Sequence, residues 1–215
     1  MADILNVTVG SPLQNEKQEL FIQGTDSDDT ITNSGAAVSI SGGAGADSIK
    51  NNGVYRYNQD GESELENYGS KVSISGGDGD DSIKNEGPSS YINLGAGTDT
   101  IFNVNANAVS IVGEGNNYVS NSIGSGLYIS LGSGNDTVEN LGASAIKASI
   151  FGGAGTNVIK NAGDSAVISL GGGADPVENL GESEVSEFVC HDEEGQAGHQ
   201  SQYLCCNAHV VCSFF

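Results

Sequence analysis

The feature that most constrains this chain is a repeat with a period of ~18 residues, since self-similarity at a fixed period marks a repeat architecture. GGAGADSIKN at 42 recurs as GGDGDDSIKN at 76, with weaker copies LGAGTDTIFN at 94, LGSGNDTVEN at 131 and GGAGTNVIKN at 152. Filling the gaps in that register gives nine units, starting at 24, 42, 58, 76, 94, 112, 131, 152 and 170. A fixed period outranks local propensity, because each unit is one supersecondary element that can bury its apolar side only against its neighbours.

Columns down this register specify the unit. The eighth position is aliphatic in all nine: Ile31, Ile49, Leu65, Ile83, Ile101, Val119, Val138, Ile159 and Val177. Two residues before each unit stand Ile22, Ile40, Arg56, Ile74, Ile92, Ser110, Ile129, Ile150 and Ile168. The tenth position is Asn every time: Asn33, Asn51, Asn67, Asn85, Asn103, Asn121, Asn140, Asn161 and Asn179, usually followed two residues later by Gly. The unit therefore reads as strand, Gly-rich turn with Asp, strand, Asn-x-Gly turn. Two short alternating strands and two turns within each period describe one coil of a parallel β-solenoid, so the predicted fold is all-β. Stacked coils turn each column into a row with a rung of ~4.8 Å, and eight steps give a rod of about 38 Å. An Asn row can hydrogen-bond amide to amide up such a stack. The unit at 58 fits worst: Arg56 falls in the Ile column after the shortest step of the array, which predicts a bulge there.

Composition divides the chain. Residues 24–181 carry the repeat, with 19 acidic and 6 basic residues. Residues 1–23 precede it as an N-terminal capping segment. Residues 182–215 continue none of the columns, hold 6 acidic and no basic residues, and contain all four Cys and all three His. This tail is expected to be disordered or non-native, as a frame-altered end of a longer array would be. The whole chain has 28 Asp+Glu against 7 Lys+Arg, a formal charge of −21, and 32 Gly among 215 residues. Such a charge excludes nucleic acid or anionic lipid as a main partner and favours cations. No apolar run approaches the ~18 residues of a membrane span. The stretch Met1–Leu20 lacks the basic and apolar regions of a cleavable signal peptide.

The Gly/Asp turn is where charge collects. Its sixth position reads Asp29, Asp47, Ser63, Asp81, Asp99, Asn117, Asp136, Asn157 and Asp175. Two unit charges ~4.8 Å apart repel by ~1 kcal/mol in water and by ~3–4 kcal/mol at an effective dielectric of 20. A stacked Asp row therefore calls for a cation between its rungs. Glycines allow positive φ and let turn carbonyls face inward, and carbonyls with carboxylates make a hard oxygen cage suited to Ca²⁺. The bland alternative is a turn whose Asp only hydrogen-bonds backbone. No His or Cys lies near these turns, so a soft transition metal is not implied.

GGAGADSIK (42–50) and GGDGDDSIK (76–84) match in full the nonapeptide GGxGxDxUx, U being aliphatic, and LGAGTDTIF (94–102) and LGSGNDTVE (131–139) miss only its first Gly. Residues 24–181 thus resemble the RTX, or haemolysin-type, calcium-binding repeats, which form a parallel β-roll. The resemblance implies Ca²⁺ along one edge, bridging adjacent turns, with Asp29, Asp47, Asp81, Asp99, Asp136 and Asp175 as ligands. Gly43, Gly45, Gly77, Gly79, Gly95, Gly97, Gly132 and Gly134 would shape the turns that supply the carbonyls. Asp29 with Asp47 and Asp81 with Asp99 would be the best pairs, and sites beside Ser63, Asn117 and Asn157 would be weaker. The departure from the family is the second turn, Asn-x-Gly instead of a second calcium motif, so the expected object is a one-sided roll.

Other chemistry is poorly supported. The repeat has no His and no GxSxG elbow, and its GxG pieces lead into Asp-x-Ile strands instead of a phosphate-binding helix, so no enzyme is expected. An ice-binding solenoid would need flat uniform rows, which the seventh and ninth positions do not make. In the tail, Cys206, His209 and Cys212 with Cys190 or His191 could form a zinc set, and disulfides are an equal alternative. The expected function is a calcium-binding, calcium-folded spacer or adhesion segment of a secreted or surface bacterial protein, its cell-surface or matrix ligand unspecified. The alternative is a calcium-triggered accessory or secretion region of an exported toxin or hydrolase.

Overall fold

The structure, a computed structural model, describes residues 3–52, 56–57, 63–64, 70–104, 106–122, 124–142, 147–179, 187–191 and 197–199. It is a β-solenoid of about eight coils. Each coil contributes one strand to each of two parallel sheets, and strand order within a sheet follows the chain. The first sheet runs from Asp3–Asn6 and Leu20–Gln23 through Ser39–Ala44, Ser73–Asp78, Tyr91–Ala96, Ser110–Gly113, Tyr128–Leu131 and Ser149–Phe151 to Val167–Leu170 and Glu187–His191. The second runs from Leu13–Asn15 through Thr30–Asn33, Ser48–Asn51, Ser82–Asn85, Thr100–Asn103, Tyr118–Asn121, Thr137–Asn140 and Val158–Asn161 to Val177–Asn179. No helix among the described residues is long and apolar enough to cross a membrane.

The unit at 58 is not a coil. Ser39–Ala44 pairs directly with Ser73–Asp78, and Ser48–Asn51 with Ser82–Asn85, so the stack skips that unit altogether. Within the skipped stretch, Arg56–Tyr57 and Ser63–Glu64 pair antiparallel as a separate two-stranded ribbon. Arg56 in an all-Ile column is the physical reason, since a charge there would face the core without a partner. Leu65 and Asn67 lie outside the described residues. The count of coils is made up at the other end: Leu13–Asn15 pairs in parallel with Thr30–Asn33, so residues before 24 already belong to the stack. Residue 110 also falls one place off its expected column. Ile92 pairs with Ile111, so Ile111 and not Ser110 occupies the Ile column, the Asn turn before it being one residue longer than in the preceding coil.

Alternation explains the core. Ile22, Ile40, Ile74, Ile92, Ile111, Ile129, Ile150 and Ile168 face Ile31, Ile49, Ile83, Ile101, Val119, Val138, Ile159 and Val177 across the two sheets, all buried. A third inward column follows the Asn turn: Leu20, Val38, Val72, Ser90, Val109, Leu127, Ala148 and Ala166. The residue before each of these turns the corner in the left-handed region. It is non-glycine seven times, at Glu19, Ala37, Lys71, Ser89, Ala108, Lys147 and Ser165, with φ between 53° and 59°. A side chain there costs on the order of 1 kcal/mol that glycine escapes. Ala108→Gly is therefore expected to raise stability by about 0.5 kcal/mol after the entropy it adds to the unfolded chain. A urea midpoint that falls instead would contradict this.

The Asn column forms the expected ladder. Asn15, Asn33, Asn51, Asn85, Asn103, Asn121 and Asn140 each donate Nδ2 to Oδ1 of the next Asn, up to Asn161, at 2.7–2.9 Å. Asn15, Asn33, Asn85 and Asn161 also clamp their own turns. In Asn33, for example, Nδ2 donates to the Gly35 carbonyl at 2.9 Å and Oδ1 accepts the Gly35 N–H at 3.1 Å. Asn15 clamps Lys17 in the same way, so the Gly of Asn-x-Gly answers to the neighbouring coil: a Cβ on Gly35 would strike the Lys17 carbonyl.

At the far end, Glu187–His191 pairs in parallel with Val167–Leu170 and then antiparallel with Ala197–His199. Part of the tail thus extends the first sheet. Cys205, Cys206, His209 and Cys212, three of which were candidates for a zinc set, lie outside the described residues.

Candidate metal centre

The sixth-position side chains point inward from the Gly turn and stack in one row. Each uses Oδ1 to accept the backbone N–H of the same position one coil earlier. Asp47 accepts from Asp29, Asp81 from Asp47 and Asp99 from Asp81, all at 2.8 Å. Asn117, Asp136, Asn157 and Asp175 continue the series at 2.7–3.2 Å. Because the unit at 58 is bypassed, Asp47 sits directly against Asp81 and Ser63 interrupts nothing. A second ladder on the outer side of the same turn runs the other way: Asp28 Oδ1 accepts the Ala46 N–H at 2.9 Å and Asp80 Oδ1 the Thr98 N–H at 2.7 Å.

The remaining carboxylate oxygen decides the chemistry. Oδ2 of Asp47, Asp81, Asp99 and Asp136 is buried and has no hydrogen-bond partner. At the two Asn rungs the corresponding atom is a donor. Asn117 Nδ2 donates to the Glu114 carbonyl at 3.0 Å and to that of Gly115 at 3.3 Å, and Asn157 Nδ2 donates to the Gly153 carbonyl at 3.3 Å. The same face of the Asp rungs therefore presents an acceptor where its neighbours present N–H groups. At the first rung the problem is solved locally, since Asp29 Oδ2 accepts the Thr25 N–H at 2.6 Å and its hydroxyl at 3.1 Å.

Burial sets the electrostatics of the row. It pushes the carboxyls of Asp47 and Asp81 up to about 6. The backbone N–H that each accepts pulls the other way, and neighbouring carboxylates, Asp81, Asp29 and Asp28 for Asp47, Asp99 and Asp80 for Asp81, push up again. Asp99, Asp136 and Asp175 are raised by burial as well. A buried acceptor that resists ionisation needs a proton or a cation beside it.

The first glycine of the motif makes the room. A Cβ on Gly42 would strike Asp47 Oδ2 and the Gly76 carbonyl of the next coil, and one on Gly76 would strike Asp81 Oδ2 and the Leu94 carbonyl. A carboxylate oxygen and a carbonyl oxygen thus converge on the same space at both rungs. Gly76→Ala should cost about 2–4 kcal/mol because neither oxygen can retreat far. Gly172→Ala, where a Cβ meets nothing within 4 Å, should be nearly neutral, and equal urea midpoints for the two variants would contradict this packing. Farther along the row the place of this glycine is taken in turn by Leu94, Gly113, Leu131, Gly152 and Leu170. Leu94 leans over Gly113 and Leu170 over Gly152, so apolar side chains wall the inner side of these turns.

Of the glycines singled out in the motif, Gly43, Gly45, Gly77, Gly79, Gly95, Gly97 and Gly134 have φ between 99° and 143°. Gly132 lies outside the left-handed region. The third-position carbonyls are engaged coil to coil: the Gly45 N–H donates to Asp78 and that of Gly79 to Ala96, both at 2.9 Å. Among the described residues no three His, Cys, Asp or Glu side chains gather to chelate one ion. An ion on this row would be held by one or two carboxylate oxygens together with backbone carbonyls. That is an all-oxygen donor set, which fits a hard cation in kind.

Neither a family model, nor a curated protein, nor a solved structure matches the chain. The row itself is thus the guide to its chemistry.

Proposed function

We propose that the chain is a calcium-stabilised β-solenoid, serving as a spacer or adhesion segment of a secreted or surface bacterial protein and catalysing nothing. The observation that carries this is the line of buried, unpartnered Oδ2 atoms on Asp47, Asp81, Asp99 and Asp136, each in the position that an Asn donor fills elsewhere in the row. Calcium suits an all-oxygen site of flexible geometry, and extracellular modules bind it at ~0.1–1 mM. Bound, it would supply the positive charge that the row lacks. The nonapeptide resemblance of residues 42–50 and 76–84 supports the same ion.

Binding that requires stacked coils stabilises the folded state alone, so metal and fold are linked. Far-UV circular dichroism in EGTA, followed by addition of millimolar Ca²⁺, tests the proposal. The expected result is a weakened or easily melted β spectrum in EGTA, restored and raised in Tm by Ca²⁺ and not by equal Mg²⁺. A β spectrum and Tm indifferent to the metal would overturn it. The second occupant of the same position is a proton on each carboxyl, favoured by the raised carboxyls of Asp47 and Asp81. A row protonated in this way would need no metal at all.

A further inference from the structure

The outward face of the first sheet is unlike the rest of the molecule. Over eight rungs it presents Phe21 and Gln23, Ser39 and Ser41, Ser73 and Ser75, Tyr91 and Asn93, Ser110 and Val112, Tyr128 and Ser130, Ser149 and Phe151, and Val167 and Ser169. None of these sixteen is charged, in a chain with a formal charge of −21. The opposite sheet shows the contrast, since its outward row carries Lys50, Lys84, Glu139, Lys160 and Glu178. On the uncharged face Tyr91 is 47 % and Tyr128 43 % exposed, and the Phe151 ring lies against Tyr128 with centroids 5.5 Å apart.

We propose that this face binds a neutral polysaccharide laid along the rod. Tyr91 and Tyr128 stand in one column with Ser110 between them, two rungs apart. Two inter-strand steps come to ~10 Å. That spacing suits platforms under alternate sugars of an extended glycan. Aromatic faces stack on the apolar C–H faces of sugars, while Ser110, Ser130, Ser149 and Asn93 offer hydroxyls and an amide to sugar hydroxyls. The absence of charge selects the class. An anionic glycan would meet the field of a −21 chain with no cation among these sixteen residues to hold it, whereas a neutral one meets no penalty. A second copy of the chain is disfavoured by the same charge and by a face of which eight of sixteen residues are Ser. A flat ice plane is broken by two protruding tyrosines. The proposal rests on the adhesion role given above, but not on calcium.

Affinity electrophoresis in native gels tests it, with millimolar Ca²⁺ present so that the solenoid is folded whatever its metal dependence. The gels contain hydroxyethylcellulose, xyloglucan, galactomannan or soluble starch, and hyaluronate, which Ca²⁺ does not gel, as the acidic contrast. At least one neutral glycan should retard the wild type, and hyaluronate should not. Tyr91→Ala/Tyr128→Ala should weaken the retardation about tenfold or more, while Tyr128→Trp keeps it. Both tyrosines are half-exposed, so the double variant should keep the wild-type Tm, and Phe102→Ala, which removes an exposed ring from the opposite sheet, provides a second folded control that keeps the retardation. Retardation by no neutral glycan, or retardation equal in the double variant, overturns the proposal. So does a dimer in analytical ultracentrifugation that Tyr91→Ala/Tyr128→Ala dissociates, or thermal hysteresis that it abolishes. Failure here with a normal calcium response leaves the metal proposal standing, and the reverse outcome separates them equally well.

Discussion

Replacing Asp47, Asp81 and Asp99 together by Asn is expected to stabilise the metal-free solenoid by about 2–4 kcal/mol at pH 7.5 and to leave only the small response to Ca²⁺ that Asp136 supports. The reason is already displayed in the row. Asn117 and Asn157 keep the Oδ1 contact to the neighbouring coil and turn Nδ2 toward the turn carbonyls. Each substitution exchanges an unpartnered buried acceptor for a donor of the same shape. Calorimetric Tm in EGTA and in Ca²⁺ measures both effects. A triple variant that is less stable than the wild type, or that still needs Ca²⁺, would contradict the assignment of Oδ2.

The same row fixes the sign of a pH effect. The carboxyls of Asp47 and Asp81 are raised from 3.8 to about 6 in the folded state, chiefly by burial. The folded chain therefore holds their protons more tightly than the unfolded chain does. The stability they contribute is complete below pH ~4 and is lost as pH rises through about 6. In EGTA, therefore, the wild type should become more stable between pH 7.5 and 4.5, and the triple Asn variant should respond far less. Urea midpoints along that series provide the measurement, and a wild-type midpoint falling over the interval would contradict it.

The second large effect belongs to the opposite edge. Asn103 accepts Asn85 Nδ2 on Oδ1 and donates Nδ2 to Asn121, both at 2.8 Å, with all three side chains buried. Asn103→Leu keeps the bulk but leaves a donor of Asn85 and an acceptor of Asn121 facing an apolar group. At about 1–3 kcal/mol for each, the expected loss is ~3–5 kcal/mol. Asn15→Leu at the ladder's start breaks only one such link, so its cost should be about half. A central Leu variant as stable in urea as the wild type would show that the ladder follows the fold without stabilising it.

The fold was legible because its signals recur. One Asn-x-Gly turn is a weak preference, but the same Asn at every coil could only be a row, and the Ile columns alternate as strands between two turns must. The errors occurred where spacing and content disagreed. The unit at 58 satisfied the period and violated the core, with Arg56 where Ile was needed, and the chain resolved the conflict by pairing Ile40 with Ile74 across it. The third inward column was missed because its members include Ser90, Ala148 and Ala166, which look like turn residues until a neighbour's coil covers them. The Asp row was legible as a row, but not its division of labour. That Oδ1 is used on backbone N–H while Oδ2 is left over depends on the pitch of the coils, which no column reveals. Thr25, which relieves Asp29, carried a signal of its own, since it is the only Thr at the second position of a unit.

The proposed uptake of calcium by the buried carboxylate row is tested most directly by an anomalous difference map from crystals grown in Ca²⁺ at pH 7.5, recorded at long wavelength. Peaks are predicted ~2.3–2.6 Å from Oδ2 of Asp47, Asp81, Asp99 or Asp136 and not beside Asn117 or Asn157. An ordered row with no peak along it, or calcium confined to outer carboxylates such as Asp28 and Asp80, would contradict the account and leave the proton as the row's occupant.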